Sequence, residues 1–199
     1  PGQGGGKDFS YTSPYLFGFF PRTWLWPIVK PFFGNALMKT VNAAKYRMDR
    51  LTSSEELHLQ NFFEFTFLLD TIPNWRTLFE PHGYLELEPL IPFENCAGAF
   101  RELIEMTQRF GHPSHLTAIK SHRRDDFDLS FAMDGCSIGI NIPFVPGREA
   151  ETGDLFQGMN ETVLGAGGIT YLAKDEKLTA DQFRRMYPGW KKFEELKKA

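Results

Sequence analysis

Glu86 and Glu88 sit two residues apart in the run GYLELEPLIP (83–92), where Leu85, Leu87 and Ile91 alternate against Tyr84, Glu86 and Glu88. In CSIGINIPF (136–144), Ser137, Gly139 and Asn141 alternate against Ile138, Ile140 and Ile142. Alternate residues of a strand share one face. By that parity Lys120 and His122 share a face of HLTAIKSHRR (115–124), and Thr170 and Lys174 share a face of GITYLAK (168–174). Leu116, Ile119 and Leu172 leave the parity of those two strands ambiguous. If the polar faces coincide, one sheet surface carries two carboxylates, two amines, an imidazole and an amide. Two readings are open. One is a solvated face whose charge pairs contribute little. The other is a surface laid against a cofactor, a substrate or a second domain.

Other groups point less clearly to chemistry. His112, His115 and His122, with Asp125, Asp126 and Asp128, match no metal-ligand spacing. Cys136 has no histidine placed in sequence to act as a thiolate base and reads as structural. Gly165, Gly167 and Gly168 precede a strand, whereas a dinucleotide or phosphate loop opens a helix, so they read as a turn. The Glu86-x-Glu88 pair alone is a weak glycosidase signal.

The elements that must position these residues follow from periodicity. Helical spacing predicts helices over 94–111, through Phe100, Leu103, Ile104 and Thr107, and over 150–167, through Leu155, Met159 and Val163. Thr179 and Gln182 have capping-box spacing before TADQFRRMY, and the tail from Trp190 is helical and basic. Residues 125–135 read as a long loop. The order is strand–helix–strand–strand–helix–strand. It predicts an α+β fold: a ferredoxin-like β-α-β-β-α-β antiparallel sheet with its helices on one face. Upstream, residues 36–50 form an amphipathic helix, Ser53 and Glu56 have capping-box spacing, and 61–69 (NFFEFTFLL) alternate like a strand.

The chain has 199 residues, 42% hydrophobic, 24% charged and 15% aromatic, with Phe the commonest aromatic. That excludes wholesale disorder and fibrous repeats. A chain of this length buries about 70% of its unfolded surface, enough for a core without disulfides. A net charge of −3 does not favour nucleic acid. Two cysteines, Cys96 and Cys136, imply a reduced, intracellular (cytoplasmic) setting. Residues 1–13 are Gly-rich and read as a linker or the edge of a cut piece. Residues 14–60 form an aromatic-rich extension with helices. Within it, Pro21, Pro27, Pro31, Arg22 and Lys30 argue against a membrane-spanning helix. The aromatic stretch 15–37 then packs on protein or meets a membrane surface, making the protein peripheral to it.

GITYLAKDEKLTADQFRRMYP (168–188) resembles the C-terminal signature of FAD-linked oxidases of the vanillyl-alcohol oxidase type. It is most similar to decaprenylphosphoryl-ribose oxidase-like proteins and their sugar-alcohol and aldonolactone oxidase relatives. NWRTLFEPHGYLELEPLIP (74–92), GHPSHLTAIK (111–120) and DLSFAMDG with SIGINIP extend the resemblance over about residues 60–190. It implies that 61–199 is a substrate (cap) domain, covering a flavin held mainly by an N-terminal FAD-binding domain absent from this chain. It implies that Lys174, in Ala-Lys-Asp, lies beside flavin and substrate as a catalytic residue, with Tyr171 also at the cofactor. It places Lys120 in the substrate pocket, with Glu86, Glu88, Ser137 and Gly139 at matching positions, and the shared strand face adds His122 and Asn141 as further substrate-binding candidates. This sequence departs from the ribose oxidases at several of these. Glu86 and Glu88 stand where Gln is frequent, Gly139 replaces a cysteine, Ser137 replaces an asparagine, and Thr66 aligns with a pocket tyrosine. The departures weaken the expectation of a decaprenyl-ribose substrate and leave the oxidase class.

The implied activity is hydride transfer to FAD from a hydroxyl-bearing carbon of a small-molecule alcohol: a sugar, polyol or lipid-linked alcohol. Two rivals are a ferredoxin-like module binding a small ligand or RNA, and an interaction domain docking a partner through its Phe-rich segments. RNA-binding sheets carry aromatic residues on their central strands, where this chain offers Glu86, Glu88, Gly139 and Asn141.

Overall fold

The computed structural model describes residues 13–16, 18–52, 74–111, 113–114, 117–174 and 177–198. The chain divides into two compact units, Pro1–Pro81 and His82–Ala199. The strand expected over 61–69, the Ser53 capping box, Thr66, His112, His115 and Leu116 lie outside the described residues.

In the first unit, β1 (Tyr15–Leu16) pairs antiparallel with β2 (Phe20–Pro21). A 3-10 turn at Arg22–Trp24 leads into α1 (Leu25–Val29). The helix is short for a clear reason. Pro31 has no N–H to bond the carbonyl one turn back, and the chain passes into a second 3-10 turn at Lys30–Phe32. The amphipathic helix read from the sequence is α2 (Asn35–Thr52). Trp75, Leu78 and Phe79 are buried, and Phe79 meets Phe33 edge-on at 5.6 Å. Among the described residues, no helix is long and apolar enough to cross a membrane.

The second unit is α+β. Its strands are β3 (Tyr84–Leu87), β4 (Pro89–Pro92), β5 (Ile119–His122), β6 (Gly135–Ile138), β7 (Ile140–Pro143) and β8 (Ile169–Thr170). β3 pairs with β7, and the remaining strands form a sheet in the order β5-β6-β4-β8, every pair antiparallel. The runs 83–92 and 136–144, each expected as one strand, are interrupted at Glu88 and Gly139. The register is nevertheless the same on both sides: Leu87 faces Ile140 before the break, and Leu90 faces Ser137 after it. The ladder lapses because Pro89 has no N–H and its neighbours bond elsewhere. The Glu88 carbonyl accepts from the Tyr171 N–H (2.9 Å), and the Gly139 N–H donates to the Ala118 carbonyl (2.9 Å).

Two long helices follow, α3 (Phe93–Arg109) after β4 and α4 (Glu149–Gly165) after β7. Ala99, Phe100, Leu103 and Thr107 of α3 are buried, as are Leu155, Phe156, Met159 and Val163 of α4. They join Leu87, Ile91, Ile138, Ile140 and Ile142 in one core. Each such apolar side chain stabilises by roughly 1.5–3 kcal/mol on burial. α4 ends in a Schellman motif, in which Gly168 N–H bonds the Val163 carbonyl (2.9 Å) and Gly167 N–H bonds the Leu164 carbonyl (3.0 Å). Gly167 takes φ +73°, and a Cβ on Gly168 would lie 2.4 Å from Ile91 Cδ1. The glycine run is therefore a turn that presses the start of β8 against β4. Finally, α5 (Ala180–Met186) carries the expected Thr179–Gln182 capping box, and α6 is Trp190–Lys198.

Three sequence expectations need correction. The second strand is only Ile119–His122, and the fourth ends at Thr170, so Tyr171 and Lys174 lie in the turn beyond it. Thr170 does not join the charged face: it is fully buried, and its hydroxyl meets Met186 Sδ at 3.6 Å. Nor is that face uniformly open. Leu90 and Ile169, opposite each other across β4 and β8, share the side of Glu88 by parity and are buried. Both belong to the core, on which Leu129, Phe131 and Met133 of the loop before β6 also pack.

Candidate functional site

At the break between β3 and β4, Glu88 keeps only 4% of its side chain exposed, yet it meets two ammonium groups. Lys120, on β5, donates to Glu88 Oε1 at 2.9 Å. Lys174 Nζ lies 3.0 Å from Glu86 Oε1 and 3.9 Å from Glu88 Oε2. Ser137, fully buried on β6, donates to Glu88 Oε1 at 3.3 Å, and its oxygen also lies 2.8 Å from His122 Nε2. Strand register explains the meeting, because Lys120 and Ser137 are direct partners across β5 and β6. Lys174 arrives by another route. The Tyr171 N–H bonds Glu88 O, and the Lys174 N–H bonds Tyr171 O (3.1 Å), so a tight turn returns the amine to the strand that β8 has just left.

Desolvation is the largest influence on Lys174 and pulls its pKa down. The hydrogen bond and charge of Glu86, with Glu88 and Tyr84 adding to them, outweigh it and hold the group above the usual lysine value. Burial dominates at His122 as well: it lowers the imidazole pKa, against the pull of Glu88 and with the repulsion of Lys120. Lys174 is thus held as a cation, and His122 is biased towards the neutral ring.

Lys174, Glu86, Glu88, Lys120, His122 and Ser137 are brought together as the sequence implies. Gly139 flanks them, since a Cβ there would sit 3.8 Å from Glu86 Oε1. Asn141 faces Glu86 across β3 and β7 but is buried, and its backbone N–H donates to Ser114 Oγ at 3.0 Å. Tyr171 enters through its backbone, while its exposed ring stacks on Phe131 at 4.6 Å. Sequence reasoning did not single out Phe131, which also meets the His122 ring edge-on at 5.6 Å. The available signal was an aromatic residue inside the otherwise polar stretch DDFDLSFAMDG. Cys136 is not part of the cluster, and burial pushes its thiol pKa up, with Cys96 adding to the effect. A cleft of about 680 Å³ elsewhere in this unit is lined by Pro92, Asp125, Asp134, Gly168, Arg185 and Tyr187. It contains none of the predicted site residues, and the converging charges, not this cleft, mark the candidate site.

The sequence pattern of D-arabinono-1,4-lactone oxidase matches residues 22–199. The chain belongs to the D-arabinono-1,4-lactone oxidase family. The match reaches further towards the N-terminus than the 60–190 stretch on which the resemblance to FAD-linked oxidases was read. It takes in α1 and α2 of the first unit. A relative, decaprenylphosphoryl-β-D-ribose oxidase of Mycolicibacterium smegmatis, is 30% identical over 131 residues, or 65% of this chain. The chain spans 27% of that relative's length. Both findings agree with the FAD-linked oxidase relatives read from the sequence.

Proposed function

We propose that this chain is the substrate domain of an FAD-dependent oxidoreductase acting on a hydroxyl-bearing carbon of a sugar, polyol or lipid-linked alcohol. The observation that carries the reading is Lys174, an ammonium fixed by Glu86 and Glu88 on the charged face of a chain from an oxidase family. The local chemistry suits a flavin. The Lys174 cation and the side-chain-free position at Gly139 lie against Glu86, and the exposed Tyr171 ring stacks on Phe131, which meets His122. FAD, when bound, supplies the hydride acceptor. Lys174 keeps its proton and offers a fixed positive charge, whose worth rises as water is excluded. Glu86 and Glu88 aim that charge. Lys120, 58% exposed, keeps N–H groups free to meet a substrate oxygen while Glu88 holds its position.

The strand order β5-β6-β4-β8, with helices following β4 and β7, supports a ferredoxin-like sheet as the scaffold. The chain spans 27% of the relative's length, which leaves room for FAD to be held mainly by a domain outside it. Exposed Trp24, Ile28 and Phe32, four residues apart and flanked by Arg22 and Lys30, favour contact of residues 15–37 with a membrane surface.

Two measurements test the reading. The flavin-loaded enzyme, mixed anaerobically with xylitol, sorbitol or arabinitol and with lipid-linked ribose, should lose its oxidised-flavin absorbance with at least one of them. No reduction by any of these alcohols contradicts the activity. This chain alone should not retain FAD through gel filtration, and stoichiometric retention contradicts the two-domain account.

A further inference from the structure

His122 does more than line the charged face, and the proton count shows how. A carboxylate only accepts, and Glu88 Oε1 already takes N–H from Lys120 and O–H from Ser137. A serine hydroxyl has one proton, so Ser137, having given it to Glu88, must accept at its oxygen from His122 Nε2 2.8 Å away. The opposite arrangement would set two acceptors, Ser137 Oγ and Glu88 Oε1, against each other at a buried position. The neutral ring is therefore the Nε2–H tautomer, and its lone pair is on Nδ1. Among the described residues no donor meets Nδ1. The ring also meets Phe131, edge-on.

On the rest of the face the acceptors are carboxylate oxygens that also hold the lysines, and His122 Nδ1 adds a neutral one. Glu86 Oε1 and both oxygens of Glu88 are turned to lysines, whereas Lys120 and Lys174 bring N–H groups. A ligand with several hydroxyls needs an acceptor as well as donors. We propose that His122 Nδ1, fixed by the Glu88–Ser137–His122 chain, is the hydrogen-bond acceptor that orients a substrate hydroxyl in this site. It follows that the site discriminates for a group that donates: a hydroxyl is held there, and an ether, carbonyl or fully ionised phosphate oxygen is not. The charged and titratable neighbours that face the ring are Glu88 and Lys120, and burial keeps the ring neutral so that the lone pair persists near pH 7. The inference rests on the oxidoreductase reading for its substrate and is independent of it for its tautomer.

The first test is a long-range ¹H–¹⁵N spectrum of the protein labelled at histidine, assigned with His122→Gln. The expected result is a neutral Nε2–H ring for His122 at pH 7, changing to a mixture of tautomers in Ser137→Ala. An Nδ1–H ring or an imidazolium at that pH overturns the proposal, as does an unchanged tautomer in Ser137→Ala. The second test uses the geometry of amides. Gln can replace the Nε2 bond to Ser137 but puts no acceptor at Nδ1, while Asn places its amide near Nδ1 and gives up the Ser137 bond. In the flavin-loaded enzyme, with whichever of xylitol, sorbitol or arabinitol reduces it fastest, His122→Gln should lower kcat/KM about tenfold through KM, and His122→Asn should lose less. Unchanged kcat/KM in His122→Gln overturns the role of Nδ1. Absence of flavin reduction by every polyol in the unsubstituted enzyme counts instead against the oxidoreductase reading, and the tautomer result then decides the proton chain separately.

Discussion

In the first unit Phe19 is 75% exposed, Phe32 72% and Trp24 61%, although these are among the most apolar side chains of the sequence. In the second unit Glu88, a carboxylate, keeps 4%, Ser137 is buried against it, and Asn141, opposite Glu86, is buried too. The aromatic segment is cut at Pro21, which ends β2, and at Pro31, beyond α1, into elements too short to bury a continuous face. The charged segment lies in antiparallel strands with one unbroken register, so polar side chains from β5 and β6 reach the same place as those before β4. There each charge finds a partner, which is what makes the burial of Glu88 tolerable. Backbone regularity, more than side-chain polarity, separates the two regions.

The sharpest way to break that comparison is Glu88→Ala. It leaves Lys120 and Ser137 without their shared acceptor and should cost about 1–3 kcal/mol, read as a lowered midpoint in urea. A midpoint within error of the unsubstituted protein would mean that the buried carboxylate is not holding its neighbours. A smaller effect should come from acid. His122 is held below the ordinary histidine value of 6.5, so near and below that pH the unfolded chain binds more protons than the folded one. Stability should therefore decline as pH falls through and below about 6.5, and His122→Gln should flatten the decline. A decline of equal slope in the variant would assign it to other groups. The smallest effect belongs to the other region: Trp24→Ser should change stability by less than about 0.5 kcal/mol. A loss of several times that amount would mean that the aromatic segment is part of a packed core.

Much of the site was legible because period-two alternation survives in the sequence. Parity brings Glu86 and Glu88 to one face of their run and Ser137 to one face of its own; for Lys120 and His122, whose parity was ambiguous, β-sheet register decides, setting Lys120 opposite Ser137. The Thr179–Gln182 capping box was equally plain, being a purely local signal. Three features were not legible. Lys174 reaches Glu86 from a turn and not along a strand, since β8 stops at Thr170 once Tyr171 bonds the Glu88 carbonyl. Thr170 faces Met186, because its parity follows a strand that ends before Lys174. Phe131 comes from a loop without period, and nothing local tells that its ring will lie between His122 and Tyr171. Each depends on how the chain leaves an element, which periodicity does not encode.

The central claim is that the Lys174 charge serves the oxidation and not only the fold. Lys174→Ala in the flavin-loaded enzyme, followed by stopped-flow flavin reduction alongside thermal unfolding, tests it most directly. The account predicts a reduction rate lower by about a hundredfold or more, with a comparatively small change in unfolding midpoint. A rate that falls only as far as the stability does would make Lys174 a structural partner of Glu86 and Glu88 and contradict the account.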